Sequence, residues 1–288
     1  MELISIVIPV YNEEEAIGDD LDLIKTTMDA TSRRYEIIVV NDGSTDRTAE
    51  IVSSKRDVEL VQHERNLGVG AARTTGIRAA RGDIIIMTDG DGTYPNQDMP
   101  KLLQHMEQYD MVVGARTQEK GTRRWLRAPA KWFIARLAAY LTGTDIPDLN
   151  SGLRAFRKDI ALKYVRLLPT THSWVSTITI AFLGNGYQVK YIPIDYYKRK
   201  GKSTFHPIRD TYNYITLVVR TVTYFDPLKV FLPLSLLLLG IGGIKLIRDV
   251  IIYNFHVPTT TVLIMLTAVQ IGAMGLLADL IVRKTTPH

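Results

Sequence analysis

The chain has no cysteine in its 288 residues. Disulfides and thiolate metal sites are therefore excluded, and thiols give no reading of redox compartment. Histidine is sparse. The six stand singly at 63, 105, 172, 206, 256 and 288, none at metal-ligand spacing from another. No GxxxxGK[ST] loop is present, so phosphates are not expected in a glycine-rich helix N-terminus of that kind. A near match to the dinucleotide fingerprint, GVGAAR at 68–73, has Arg73 where the third glycine belongs and follows the third apolar run, not the first. It reads instead as a helix start after Asn66, with Gly68 and Gly70 permitting close packing. A concentrated excess of one charge is also missing. The formal net charge of +5 is too mild to argue for a nucleic-acid partner. The opening Met1-Glu2 leads straight into the apolar run Leu3–Val10. It lacks the basic n-region and small-residue cleavage site of a signal peptide. The first domain is expected to stay on the cytoplasmic side.

What is present begins with 46% hydrophobic residues, enough for a sizeable core. Apolar runs at 4–10, 36–40, 58–62, 83–87 and 111–116 alternate with helical patterns, the first carrying Ile17, Leu21, Ile24 and Met28 on one face. Strongly apolar strands in repeated βαβ order predict an α/β domain with a mostly parallel, Rossmann-like sheet covered by helices on both faces. Ligands in such sheets bind beyond the carboxyl ends of the strands.

The last quarter of the chain has a different character. Apolar spans run from about 228 to 247 and from about 259 to 282. Each approaches the roughly 20 residues that cross a bilayer core. Cations precede the first span and follow the second, which predicts a two-span hairpin with both ends cytoplasmic. Lys245 and Arg248 oppose this weakly and would snorkel to the far interface. The connection between the spans reads as about ten residues, RDVIIYNFHVP. Residues 117–145 form a basic amphipathic segment with Trp125 and Trp132, and 206–225 a second one. Both are expected at the membrane interface. The domain division is then 1–205 for the α/β domain, 206–227 for a juxtamembrane helix and 228–288 for the hairpin.

Three strand ends carry acids. Glu13 follows the first strand, Asp42 the second, and Asp89 and Asp91 the fourth, in MTDGDG. Each has a plain alternative, as a helix-dipole partner, a turn or a solvated loop. Three together on the ligand edge of one sheet point to a site. Two carboxylates one residue apart repel unless a cation sits with them. Mg2+ or Mn2+ bridged to a diphosphate fits the oxygen preference of hard cations.

SIVIPVYNEEEAI, EIIVVNDGSTDRT, RNLGVGAARTTGI and MTDGDGTYP resemble, in order, the motifs of family 2 glycosyltransferases with the GT-A fold. VVGAR, DLNSGLRAF and YKRKGKS narrow the resemblance to polyprenyl-phosphate sugar transferases of the dolichyl-phosphate mannose or glucose synthase type. It covers about residues 3–205. It implies that Pro9, Tyr11, Glu13 and Asp42 hold the nucleotide, and that Asp89 and Asp91 handle ribose, diphosphate and metal. Arg116 is implied near the acceptor phosphate, and Asp148 beside the reaction centre. Many relatives carry Gln as an extra metal ligand where this chain has Thr93, which leaves part of the coordination shell unassigned.

A lipid phosphate is already anionic, so a general base is largely unnecessary. Cations are needed instead, and Arg116, with Arg127 or Lys131 and Arg199 or Lys202, are the candidate clamp. The implied reaction is inverting transfer of a hexose from GDP-mannose, UDP-glucose or UDP-GlcNAc to polyprenyl or dolichyl phosphate, giving a β-linked product. The implied partners are the nucleotide sugar, the lipid and the membrane, with a homo-oligomer also open. Competing readings are a processive polysaccharide synthase, opposed by only two visible spans and no QxxRW-like motif, and a non-catalytic membrane scaffold, opposed by the intact acids.

Overall fold

The computed structural model describes residues 2–117, 139–140, 143–171, 173–197, 227–252 and 257–285. The chain divides into two compact units, Met1–Leu217 and Val218–His288.

The first unit is built on a seven-stranded sheet of β1 (Ile4–Val10), β2 (Tyr35–Asn41), β3 (Val58–Gln62), β4 (Ile84–Met87), β5 (Met111–Arg116), β6 (Arg154–Arg157) and β7 (Val189–Ile194), in the order β3-β2-β1-β4-β6-β5-β7. All pairings are parallel except those of β6, which runs antiparallel to β4 and β5. All seven residues of β1 are buried, because a central parallel strand is covered on both faces. The first helix, α1 (Ile17–Asp29), buries Ile17, Leu21, Ile24 and Met28 against the sheet. It begins later than its acidic lead suggests, since Glu13–Ala16 forms a turn in which the Glu13 carbonyl accepts from Ala16 N and Ile17 N. Among the described residues this unit also has the helices α2 (Thr48–Ser54), α3 (Val69–Ala79), α4 (Met99–Leu103), α5 (Lys158–Tyr164) and α6 (Trp174–Gly184).

The five strands expected from the sequence are all present. The sequence reading did not anticipate β6 or β7. β6, Arg-Ala-Phe-Arg, is four residues long and carries a fully buried Arg154, a pattern that no apolar-run criterion selects. The expected close packing at Gly68 and Gly70 is found. A Cβ at Gly68 would lie 2.3 Å from the Thr170 carbonyl oxygen, and Gly70 N donates to that oxygen at 2.9 Å.

In the second unit, α7 (Leu228–Ile252) and α8 (Thr259–Thr285) form a hairpin. Both are long and apolar enough to cross a membrane, with mean hydropathies of 2.2 and 2.0. Their seam uses small residues: a Cβ on Gly275 would lie 2.6 Å from Phe231 Cβ, and one on Gly272 2.9 Å from Ser235 Oγ. Ser235 Oγ donates to the Ala268 carbonyl at 2.8 Å. The connection is shorter than expected, because α7 continues through residue 252. Its last turns are fixed by Asp249, which accepts from Lys245 Nζ at 2.6 Å and from Thr261 Oγ1. Lys245 is thus paired within the hairpin, where the sequence suggested only a snorkelling cation. The interfacial segments expected at about 117–145 and 206–225 lie almost wholly outside the described residues.

Candidate active site

The carboxyl edge of the sheet gathers the predicted acids, and the chain holds each in a different way. Beyond β1 and β2 the holders are mostly backbone N–H groups and neutral side chains. Asp42, 2% exposed, accepts from Leu67 N at 2.9 Å and Gly68 N at 2.8 Å, with His63 Nδ1 at 2.8 Å. Asp46 accepts from Thr48 N at 3.0 Å and Glu14 N at 3.2 Å. Ser44 does not cap α2. Its hydroxyl accepts from Asn12 N at 3.0 Å, and Asn12 Oδ1 accepts from Thr45 N at 2.8 Å. The loops after β1 and β2 are therefore stitched into one platform. Pro9 is buried within β1, Glu13 is buried, and Tyr11 is 43% exposed beside them.

The Asp89-Gly90-Asp91-Gly92 loop follows β4, and its two glycines serve different ends. A Cβ on Gly90 would lie 2.8 Å from Val10 Cγ1 and 2.9 Å from Ile17 Cδ1, so the loop sits directly on β1 and α1. Gly92 has φ of +72°, a backbone state that favours glycine. From α1, buried Asp20 grips this turn, accepting from Gly92 N at 2.9 Å and Asn96 Nδ2 at 3.2 Å. Asp91 is buried, and its Oδ1 accepts from Thr93 N at 3.2 Å and Thr93 Oγ1 at 2.5 Å. Thr93 therefore orients Asp91.

Asp89 is held by an arginine. Arg73 of α3, 4% exposed, places Nη2 at 2.7 Å from Asp89 Oδ1. Its Nε and Nη1 are buried with no partner among the described residues. Over its other side lies the Trp174 ring, 5.9 Å from Cζ to centroid. The reversed direction of β6 completes the arrangement. Met87 pairs with Arg154, so the segment leading into β6 arrives beside the Asp89 loop. A Cβ on Gly152 would lie 2.6 Å from Asp89 Oδ2, and Gly152 N donates to Tyr94 Oη at 2.7 Å.

At the end of β5, Arg116 and Asp148 form a fork-to-fork pair, with Nε–Oδ2 at 2.7 Å and Nη2–Oδ1 at 2.9 Å. Arg116 N and Asn150 N add bonds at 3.1 and 3.0 Å. Burial alone would raise the Asp148 pKa. The Arg116 hydrogen bonds and charge outweigh it and hold the carboxyl below its usual value. Asp148 is thus ionised at neutral pH and unsuited to taking a proton. Arg116 also lies over the Tyr196 ring at 5.2 Å. Arg154, fully buried, has its pKa pushed down to about 10, first by burial and then by the nearby Arg73 charge. Its donors reach the carbonyls of Ser151 and Val175 and the Thr179 hydroxyl.

The structure thus brings Glu13, Asp42, Asp89, Asp91, Arg116 and Asp148 to the ligand edge of one sheet. Arg127, Lys131, Arg199 and Lys202 lie outside the described residues. Arg73, Asp20, Tyr94 and Tyr196 were not anticipated. Arg73 carried a signal that was read only as a missing glycine: a charged residue inside an otherwise small, apolar helix face. Among the described residues no group of three His, Cys, Asp or Glu forms a metal cage. The donor set is a single well-placed carboxylate, Asp91, with Asp89 beside it. That set fits a divalent cation that takes most of its ligands from substrate phosphates and water.

Comparison with known proteins defines the class. The glycosyl transferase family 2 pattern matches residues 5–165, and a pattern described as the GtrB C-terminal hairpin matches residues 226–283. The chain belongs to glycosyl transferase family 2 and is a glycosyltransferase. It is 28% identical to a dodecaprenyl-phosphate galacturonate synthase of Rhizobium johnstonii, over 97% of this chain and 88% of that one. It is 32% identical to a dolichyl-phosphate hexose transferase of Haloferax volcanii, over 71% of this chain and 87% of that one. An undecaprenyl-phosphate 4-deoxy-4-formamido-L-arabinose transferase of Edwardsiella ictaluri is 33% identical, but the match spans only 50% of its length. Among solved structures, glucosyl-3-phosphoglycerate synthase from Mycobacterium tuberculosis superposes with a TM-score of 0.63 at 20% identity, over 77% of this chain and 80% of that one. That likeness confirms the GT-A-type architecture.

Proposed function

We propose that this chain transfers a sugar from a nucleoside-diphosphate sugar to a polyprenyl phosphate at the cytoplasmic membrane face, with inversion. The observation that carries the reading is the pairing of Arg116 with Asp148 at the same sheet edge as the Asp89–Asp91 loop. A lipid phosphate needs a cation to bring it up to an anionic donor, and needs no strong base. Asp148, kept ionised by Arg116, orients that guanidinium for the acceptor phosphate and adds negative charge beside the anomeric carbon. Arg127, Lys131, Arg199 and Lys202 are the further candidates for the clamp. The relatives' names support the lipid acceptor, since dodecaprenyl, undecaprenyl and dolichyl phosphates recur among them.

On the donor side, the platform of Pro9, Tyr11, Glu13 and Asp42 receives the nucleotide, and Asp89 faces its ribose. Mg2+ or Mn2+, held by Asp91 and the donor's diphosphate, would neutralise charge on the departing nucleoside diphosphate. A complex with Mn2+ and UDP of the structurally similar synthase agrees with such a group on this fold. The transferred sugar is proposed to be a hexose, although the relatives include a transferase named for a modified pentose. Galacturonate and modified arabinose in the relatives' names leave GDP-mannose, UDP-glucose and UDP-GlcNAc as donors to be tested alongside acidic and amino sugars.

The deciding experiment offers a panel of nucleotide sugars and a short-chain polyprenyl phosphate to membranes carrying the full chain. Product is read by mass and anomeric linkage. A β-linked lipid product is expected from an α-linked donor. Its formation should stop with EDTA and fall about 10²–10³-fold in kcat/KM with Asp91→Asn. An α-linked product, or transfer indifferent to chelator, overturns the reading.

A further inference from the structure

The grip on Asp42 carries a count that selects a base. A carboxylate offers about four acceptor positions, two on each oxygen. Donors among the described residues fill three. Leu67 N and His63 Nδ1 both reach Oδ1, at 2.9 and 2.8 Å, and Gly68 N reaches Oδ2 at 2.8 Å. Asp42 is 2% exposed, so it cannot swing out to collect a new set of donors. The loop that supplies the N–H groups is fixed as well. A Cβ on Gly43 would lie 2.6 Å from the Arg65 carbonyl carbon and 2.7 Å from Asn66 N. That loop is therefore pressed against the exit of β2.

His63 is held from both sides. Its backbone N donates to the Asn41 carbonyl at 2.9 Å, and its ring Nε2 lies 3.0 Å from Thr75 Oγ1 of α3. A carboxylate only accepts, so Nδ1 carries a proton and donates, whichever way the Thr75 hydroxyl turns. His63 thus occupies a position on Oδ1 that a ligand would otherwise use. The position left open is on Oδ2, and it suits a base edge with a single N–H. Uracil presents one, N3–H, between two carbonyls. Guanine presents N1–H and an N2 amino group side by side, and a carboxylate receives such a pair with one oxygen each. Oδ1 has no position to give it. Cytosine and adenine turn an unprotonated ring nitrogen to the same edge, where it meets a lone pair. Specificity built by withholding a partner from the wrong ligand is a common device.

The geometry points to His63 as a specificity-determining residue for the donor: by filling Asp42 Oδ1 it selects a uridine nucleotide over a guanosine one. The inference rests on the reading of Pro9, Tyr11, Glu13 and Asp42 as the seat of the nucleotide.

The full chain in detergent is titrated calorimetrically with UDP, GDP, CDP and ADP, each with Mn2+. UDP is expected to bind about 10- to 100-fold more tightly than the other three, the worth of a hydrogen bond to a charged group. His63→Leu frees a position on Oδ1, and the UDP-to-GDP ratio should shrink to within about 3-fold. His63→Asn places an amide N–H where Nδ1 stood and should restore most of the ratio. Thr75→Val, which leaves the ring held from one side, carries the same test should His63→Leu not fold, with a fall in the ratio of about 2- to 3-fold. A purely structural His63 would weaken UDP and GDP alike. That result, or a wild-type chain that binds GDP as tightly as UDP, overturns the proposal. Asp42→Asn separates it from the reading beneath it. If that variant binds UDP as the wild type does, the nucleotide seat is elsewhere and the proposal falls with it. If UDP binding drops about 10-fold or more in Asp42→Asn while His63→Leu leaves the ratio unchanged, the seat stands and the role of His63 alone is overturned.

Discussion

The two halves of the site hold their carboxylates by different means. Beyond β1 and β2, Asp42, Asp46 and Asp20 are gripped largely by backbone N–H groups and neutral side chains. Beyond β4 and β5, Asp89 and Asp148 are gripped by arginines, with Asp91 alone held by the Thr93 N–H and hydroxyl. Backbone donors are fixed by the fold and fit one carboxylate position. A guanidinium is a mobile charge on a long side chain, with donors to share between a protein carboxylate and an arriving anion. The first half is thus a rigid seat. The second is a set of charges whose partners can be redistributed when phosphates enter.

The sharpest test compares the two grips by removing a carboxylate from each. Asp148→Ala leaves Arg116, 14% exposed, without its bidentate partner. Breaking a buried pair from one side costs about 3–5 kcal/mol. Asp42→Ala instead strands two backbone N–H groups and the His63 ring. Its cost is expected at about 2–3 kcal/mol, with the 65–68 loop losing its hydrogen-exchange protection. Denaturant midpoints of the two variants decide the matter. A larger loss at Asp42 than at Asp148 would break the comparison.

Arg73 gives a smaller effect, because its environment cuts both ways. Replacing it with Met frees Asp89, which is 27% exposed and can be hydrated in part. The same change removes two buried donors that have no partner among the described residues, and each such donor costs about 1–3 kcal/mol while it remains. The net destabilisation is expected to be only about 1–2 kcal/mol. The functional loss should exceed what stability accounts for, because Asp89 loses its orientation. Thermal melts beside donor KM separate the two effects. A chain that loses stability and donor binding in proportion would show that Arg73 is a packing residue alone.

These contrasts explain what was legible in the sequence. The apolar strands, the acids that follow them and the two long apolar helices are local signals, and each was found where its pattern placed it. Partnership is not local. Arg73 meets Asp89 across 16 positions of chain, and Arg116 meets Asp148 across 32. Nothing near Arg73 in the sequence announces a carboxylate. β6 was invisible for the same reason. It is a strand because β4 and β5 supply both its neighbours, and Arg154 is buried there because the Val175 carbonyl and Thr179 hydroxyl of α6, with the nearby Ser151 carbonyl, receive its donors. Thr93 was noticed only as a missing ligand, while in the fold it positions Asp91.

The finest test of the arginine-held half uses pH. The folded-state pKa of Asp148 lies below its ordinary value of 3.8. A depressed carboxylate pKa contributes stability that is fully present above the unfolded pKa and lost as pH falls through the folded one. Asp148→Asn keeps the shape and removes the titration. The wild type should therefore be the more stable of the two at pH 7, and unfolding free energies measured down from pH 5 should converge below about pH 4. The reverse slope, with the gap widening in acid, would mean that Asp148 is protonated in the folded chain. The ion pair with Arg116 would then not be the state that meets the acceptor, and the contrast between the two halves would lose its clearest member.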